Sequence, residues 1–307
     1  MKFFMQGMRR SATTVVYDLL SQDERLDLYY EPYSVHGKVE LGGGSGMQEV
    51  DHMARIYELR DAFTAAHPEY DIDPGDLNYG APRLASLELD TDMAPWGCDY
   101  LSFLSGRSEH VAMKFTRMYR KMGLLKEVVP DARVALLLRH PQEVVASYMY
   151  GKGQKRLAKT PDADSFFNRT SNINPWNARR FFEAIVEAEG WHHLEGSPDW
   201  IVFLTVWKYT FDYSLAEGRG AFGDALLVQT HEDLVAEPAT RVVELYDHMG
   251  LDPSERAVEW AVTNLRKSRK AAYHEDPRWI DGYEKVGMIE SLENAGYEPV
   301  LDGGGAS

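Results

Sequence analysis

The chain has 307 residues, 44% hydrophobic and 26% charged, the composition of a soluble globular protein long enough for a substantial core. A net charge of −15 argues against nucleic acid or an anionic membrane surface as the main partner. The single cysteine, Cys98, excludes an internal disulfide. No apolar run reaches the length of a membrane span, and the start turns polar too soon for a signal peptide, so a cytoplasmic location is expected.

Residues 3–5, after Lys2, form a short apolar run that reads as a buried strand. A turn follows, holding Gly7, Arg9, Arg10, Ser11, Thr13 and Thr14, and then Val15, Val16, Leu19 and Leu20 recur at helical spacing. A strand that turns into a helix presents unpaired N–H groups and the positive end of a helix dipole, which favour an anion. With two arginines and three hydroxyls, this reads as a phosphate or sulfate cradle. Set against the nucleotide loop G-x-x-x-x-G-K-S/T, Gly7 takes the first glycine, Ala12 the second, Thr13 the lysine and Thr14 the hydroxyl position. The lysine that grips the terminal phosphates of ATP or GTP is therefore absent.

Residues 26–31 read as a second strand, ending at Glu31-Pro32, where a carboxylate can lie beside the cradle. Residues 37–50 are glycine-rich and read as a surface loop. A helix is expected over 48–66, with Val50, Met53, Ala54, Tyr57 and Ala62 among its apolar positions, and irregular chain over the proline-bearing 67–97. Residues 110–117 read as a third strand carrying Lys114 and Thr116. Residues 129–148 give a turn, a buried strand, a charged strand end and a helix with Pro141 in its first turn. Arg139 stands at the carboxyl end of that strand, where open α/β sheets bind ligands, and Ser147 lies two helical turns on.

Further along, 151–160 is basic. Helices are expected over 176–189 and 199–217, the latter bringing Trp207, Tyr209, Phe211 and Tyr213 to the core. A strand over 225–228 and one helix over 232–249 follow. Then come another helix, a basic cluster (Arg266, Lys267, Arg269, Lys270) and a loop through Trp279. Strands separated by helices predict a parallel sheet covered on both faces. We expect one domain over residues 1–300, with insertions at about 40–105 and 150–200, and a disordered tail over 301–307.

Arg10-Ser11-Ala12-Thr13-Thr14 resembles the 5′-phosphosulfate loop, usually Lys/Arg-Ser-Gly-Thr-Thr, of sulfotransferases that use 3′-phosphoadenosine 5′-phosphosulfate (PAPS). Arg139-His140-Pro141 followed by Ser147 resembles the same family's 3′-phosphate motif. The run 227–234, then Glu237-Pro238 and Met249-Gly250-Leu251, resembles its late strand, E-D-L, helix and G-L segment. The resemblance implies an α/β, P-loop NTPase-like three-layer fold with a central parallel sheet flanked by helices. It implies PAPS as donor and adenosine 3′,5′-bisphosphate (PAP) as product, with no metal required. Arg9, Arg10, Ser11, Ala12, Thr13 and Thr14 would hold the 5′-phosphosulfate, and Arg139 with Ser147 the 3′-phosphate. Arg10 and Lys114 would neutralise charge on the sulfuryl group in transfer.

In carbohydrate sulfotransferases a glutamate in a similar Glu-Pro context lies by the acceptor, which makes Glu31 the expected general base and His36 its competitor. Soluble members carry a histidine two residues after the strand lysine. Thr116 stands there, a departure that favours Glu31. The expected partner is a small-molecule, sugar or lipid acceptor offering a hydroxyl or an amine; its identity and the oligomeric state are not legible. Two other readings stay open on the residues alone. One is a small-molecule or nucleoside kinase on the same fold, which the missing lysine weakens. The other is a non-catalytic nucleotide-binding protein, which Ala12 and Thr116 leave open.

Overall fold

The computed structural model describes residues 1–33, 47–71, 88–150, 162–170, 178–266 and 272–299. His36, the glycines at 42–46, the basic residues at 152–159, Lys267, Arg269, Lys270 and the last eight residues lie outside that set.

The first half runs β1 (Lys2–Gln6), α1 (Thr13–Leu20), β2 (Asp27–Tyr30), α2 (Met47–Ala66), α3 (Pro95–Ser105), β3 (Val111–Phe115), α4 (Met122–Val128), β4 (Arg133–Leu138) and α5 (Pro141–Tyr150). The second half runs α6 (Ala163–Phe167), α7 (Ala178–Glu189), α8 (Asp199–Phe222), β5 (Leu226–Thr230), α9 (His231–Ala236), α10 (Pro238–Met249), α11 (Glu255–Asn264), α12 (Arg278–Val286) and α13 (Ile289–Ala295). Short 3-10 turns lie between some of them.

The five strands form one sheet in the order β2-β3-β1-β4-β5, every neighbouring pair parallel. β1 is central: Phe4 pairs with Met113 on one side and Val134 on the other. Phe3, Phe4 and Met5 are all fully buried, the mark of a parallel strand covered on both faces. Along β4 the side chains from Ala135 to Leu138 alternate between the two faces. Leu137 joins a core with α1, α2, α3, α10 and α11, whereas Leu136 and Leu138 join a second core with α5, α7, α8, α12 and α13. This is the expected α/β fold, a parallel sheet between layers of helices. Among the described residues no helix is long and apolar enough to cross a membrane.

Four expectations change. The helix expected over 232–249 is two, because Pro238 cannot continue the first; Glu237 breaks with φ −132 and Pro238 opens α10. The loop expected through Trp279 gives way at Arg278 to α12, closed by left-handed Gly287; α13, closed by left-handed Gly296, follows. The stretch expected to be irregular up to residue 97 ends in α3, which starts on Pro95. Finally, over residues 55–66 of α2 the buried side chains are Ile56, Leu59, Arg60 and Phe63, with Tyr57 half-buried and Ala62 exposed; the side chains of Val50, Met53 and Ala54 lie outside the described set.

Candidate active site

β1 delivers the chain to Gly7 at the carboxyl edge of the sheet. A Cβ on Gly7 would lie 2.5 Å from the Leu137 carbonyl oxygen and 2.8 Å from Thr13 Cγ2. Only glycine lets the loop cross β4 this closely. The Ser11 N–H donates to the Met8 carbonyl at 3.1 Å. Arg10 and Ala12 take φ of 75° and 64°, left-handed values that are uncommon with a Cβ. Ala12 is the N-cap of α1, and its carbonyl accepts from the Val15 and Val16 N–H groups at 2.9 and 3.1 Å. The N–H groups of Thr13 and Thr14 therefore open the helix with no acceptor inside it. Ser11 and Thr13 are buried. Thr14 Oγ1 lies 3.1 Å from the Tyr30 hydroxyl, so β2 helps to orient that side chain.

Arg139, just past β4, reaches this loop. Its Nη1 donates to the Arg10 carbonyl at 3.4 Å and its Nη2 to Glu143 Oε2 at 2.8 Å. Glu143 Oε1 is 3.0 Å from His274 Nε2, and both residues are buried. Trp207 Nε1 donates to the Arg139 carbonyl at 3.0 Å. Ser147 is buried on α5, the helix that Pro141 begins right after the arginine. His231 opens α9 nearby; burial and the Arg139 charge push it down to about 4. The two stretches picked out as anion sites thus meet, though more than a hundred residues separate them in sequence.

A third group lies at the ends of β2 and β3. Lys114 Nζ donates to Glu31 Oε1 at 2.5 Å and sits 4.1 Å from the centroid of the Tyr30 ring. Burial alone would raise the Glu31 carboxyl. Lys114, the adjacent Thr116 hydroxyl and Arg117 outweigh it and hold the carboxyl below its ordinary range. Arg117 is buried, with Nε 3.4 Å from Glu88 Oε1, and the Tyr119 hydroxyl donates to Glu88 Oε2 at 3.0 Å. Burial raises Glu88, against the pull of Arg117. Arg9 points into the same group: burial and the like charge of Arg117 lower it to about 10. Arg9, Lys114 and Arg117 against Glu31 and Glu88 leave an excess of positive charge, the electrostatic setting that an anionic ligand needs.

Arg117, Glu88, Glu143 and His231 do not stand out in the sequence. Glu143 has a readable signal, being four residues after Arg139 on the expected helix. Glu88 has none, since it follows a stretch with no periodicity.

The sulfotransferase family's sequence profile matches residues 3–181, more than half of the chain and including the first loop, Lys114, Arg139 and Ser147. No curated protein matches significantly. Among solved structures, the sulfotransferase STF9 of Mycobacterium avium is 14% identical at a TM-score of 0.55, covering 97% of this chain and 77% of that one. The sulfotransferase domain of a Synechococcus olefin synthase is 16% identical at a TM-score of 0.45, covering 96% and 94%. The first likeness concerns the fold; the profile match reaches the residues of the loop and the two strand ends. On that match, this chain belongs to the sulfotransferase family.

Proposed function

We propose that the protein transfers a sulfuryl group from PAPS to a hydroxyl of a small-molecule, sugar or lipid acceptor. PAPS supplies an activated sulfuryl group, which passes in line to the acceptor oxygen as PAP leaves. The N–H groups at residues 10–14, the Arg9 and Arg10 guanidiniums and the Ser11, Thr13 and Thr14 hydroxyls hold the 5′-phosphosulfate. Arg139 and Ser147 hold the 3′-phosphate. Glu31 accepts the proton of the acceptor hydroxyl. Lys114 and Arg10 supply positive charge where negative charge spreads over the peripheral oxygens, the role a metal ion plays in nucleotide hydrolysis.

The observation that carries this reading is the contact of Arg139 with the Arg10 carbonyl. One nucleotide can then bridge both anion sites, and a 3′-phosphate distinguishes its donor from ATP or GTP. The test is a thermal shift with PAP beside ADP. A larger stabilisation by PAP is expected, reduced in Arg139→Ala to that given by ADP. Equal stabilisation by the two nucleotides, or an unchanged preference in Arg139→Ala, counts against it.

A further inference from the structure

Helix α2 buries an arginine. Ile56, Leu59 and Phe63 form its inner face, and Arg60 lies among them with 2% of its surface exposed. A guanidinium is costly to bury and is retained where its fork of donors is used. Here Nε and Nη2 both donate to one acceptor, the Pro32 carbonyl, at 3.2 and 2.6 Å. The Tyr57 ring packs along the guanidinium, Cζ 5.9 Å from its centroid.

Pro32 follows Glu31, whose φ is 45°. That left-handed value is uncommon for a residue with a Cβ, and a following proline disfavours helical backbone further. Such a conformation persists only where its surroundings over-determine it. Three contacts do so. The Glu31 N–H donates to the Lys114 carbonyl at 2.9 Å, continuing the β2–β3 ladder by one residue. Arg60 grips the carbonyl of the next residue. The Tyr33 hydroxyl donates to the Gly97 carbonyl on α3 at 2.6 Å, with the Tyr33 ring edge-on to Tyr100.

We propose that Arg60 is a positioning residue: through the Pro32 carbonyl it holds the left-handed backbone that lays the Glu31 carboxylate against Lys114. The consequence for catalysis rests on the reading of Glu31 as general base; the structural claim does not. Arg60 acts through the backbone, whereas the charged groups that face Glu31 are Lys114 and Arg117 from β3 and its exit, Arg9 from the first loop and Glu88 before α3.

The test uses the full chain with Arg60→Met and Arg60→Lys. The first readout is the titration of the Glu31 carboxyl by carbon-13 NMR, its resonance identified by loss in Glu31→Gln. In Arg60→Met the carboxyl is expected to titrate at higher pH than in the parent, as its contact with Lys114 loosens. kcat is expected to fall about tenfold to a hundredfold, the acid limb of the rate profile to move up with the titration, and PAP affinity to stay within about threefold. Arg60→Lys, with a donor for the same carbonyl, is expected to lie between the two. A loss of thermal stability with an unmoved Glu31 titration would mean that Arg60 is only structural, and overturns the proposal. If Arg60→Met does not fold, Arg60→Lys decides, and a titration identical to the parent's overturns it. A Glu31→Gln variant that keeps full kcat removes the base reading alone; the titration then decides the role of Arg60 by itself.

Discussion

In the proposed reaction Glu31 and Lys114 carry the chemistry that separates this site from a nucleotide-binding loop. Their 2.5 Å ion pair joins the ends of two neighbouring strands. Removing the carboxylate in Glu31→Gln is expected to lower kcat by about a hundredfold to a thousandfold, with PAP affinity nearly unchanged, because the proposed nucleotide contacts lie on the first loop, Arg139 and Ser147. The pH dependence follows from a lowered carboxyl. The basic form is present above the folded-state pKa, so activity is lost as pH falls through that value, below the range of an ordinary glutamate. Its contribution to stability has the same sign: present above the unfolded-state value and lost as pH falls through the folded one. A rate profile whose acid limb lies at or above the ordinary glutamate range would place the base on another group. Much at this scale is legible in the sequence. The first loop, Glu31, Lys114 and Arg139 stand at strand ends or a helix start, which apolar runs mark out, and Ser147 lies two turns into the helix that follows Arg139. Arg117 and Glu88 are not legible, because their significance is a contact between segments with no sequence relation.

Helix α12 starts inside a stretch that the sequence suggests is a loop, and the reason is physical. Trp279, Tyr283 and Val286 give α12 its buried face, with Trp279 packed against Phe166 and Phe167 of α6 and Trp200 of α8, in a span too short for periodicity to stand out among charged neighbours. Gly282 marks the closest approach: a Cβ there would lie 2.3 and 2.6 Å from two ring carbons of Trp200. Gly282→Ala is therefore expected to cost about 1–3 kcal/mol in urea denaturation. Because His274 lies just before α12 and holds Glu143, PAP affinity is expected to weaken as well. Unchanged unfolding would show that Trp200 has room to move. The break at Pro238 is legible in principle, since proline cannot sit inside a helix. An apolar pattern running through 232–249 masks it, because α10 resumes the same face toward the core with Val242, Leu245 and Met249.

Two histidines tie the carboxyl edge of the sheet to the stability of the entire protein. His140 Nε2 donates to the Glu298 carbonyl at 3.2 Å, and burial pushes the ring down to about 4, as it does His231. Both are held neutral in the fold and charge readily when it opens. Their contribution is present above the ordinary histidine value and is lost as pH falls from there to about 4. Thermal stability is expected to decline over that window. Bound PAP should lessen the decline, since a phosphate on Arg139 offsets the charge that opposes a proton on His231. Melting temperatures measured from pH 7 to pH 4 with and without PAP check this, and parallel curves would contradict the His231 part. The strand that carries the first anion loop is completed only by partners at residues 111–115 and 133–136. During synthesis the loop therefore waits, edges unsatisfied, until well over a hundred further residues have emerged. A ribosome stalled before β4 would hold a chain that contains every residue of the loop and none of its geometry, with bare strand edges open to aggregation.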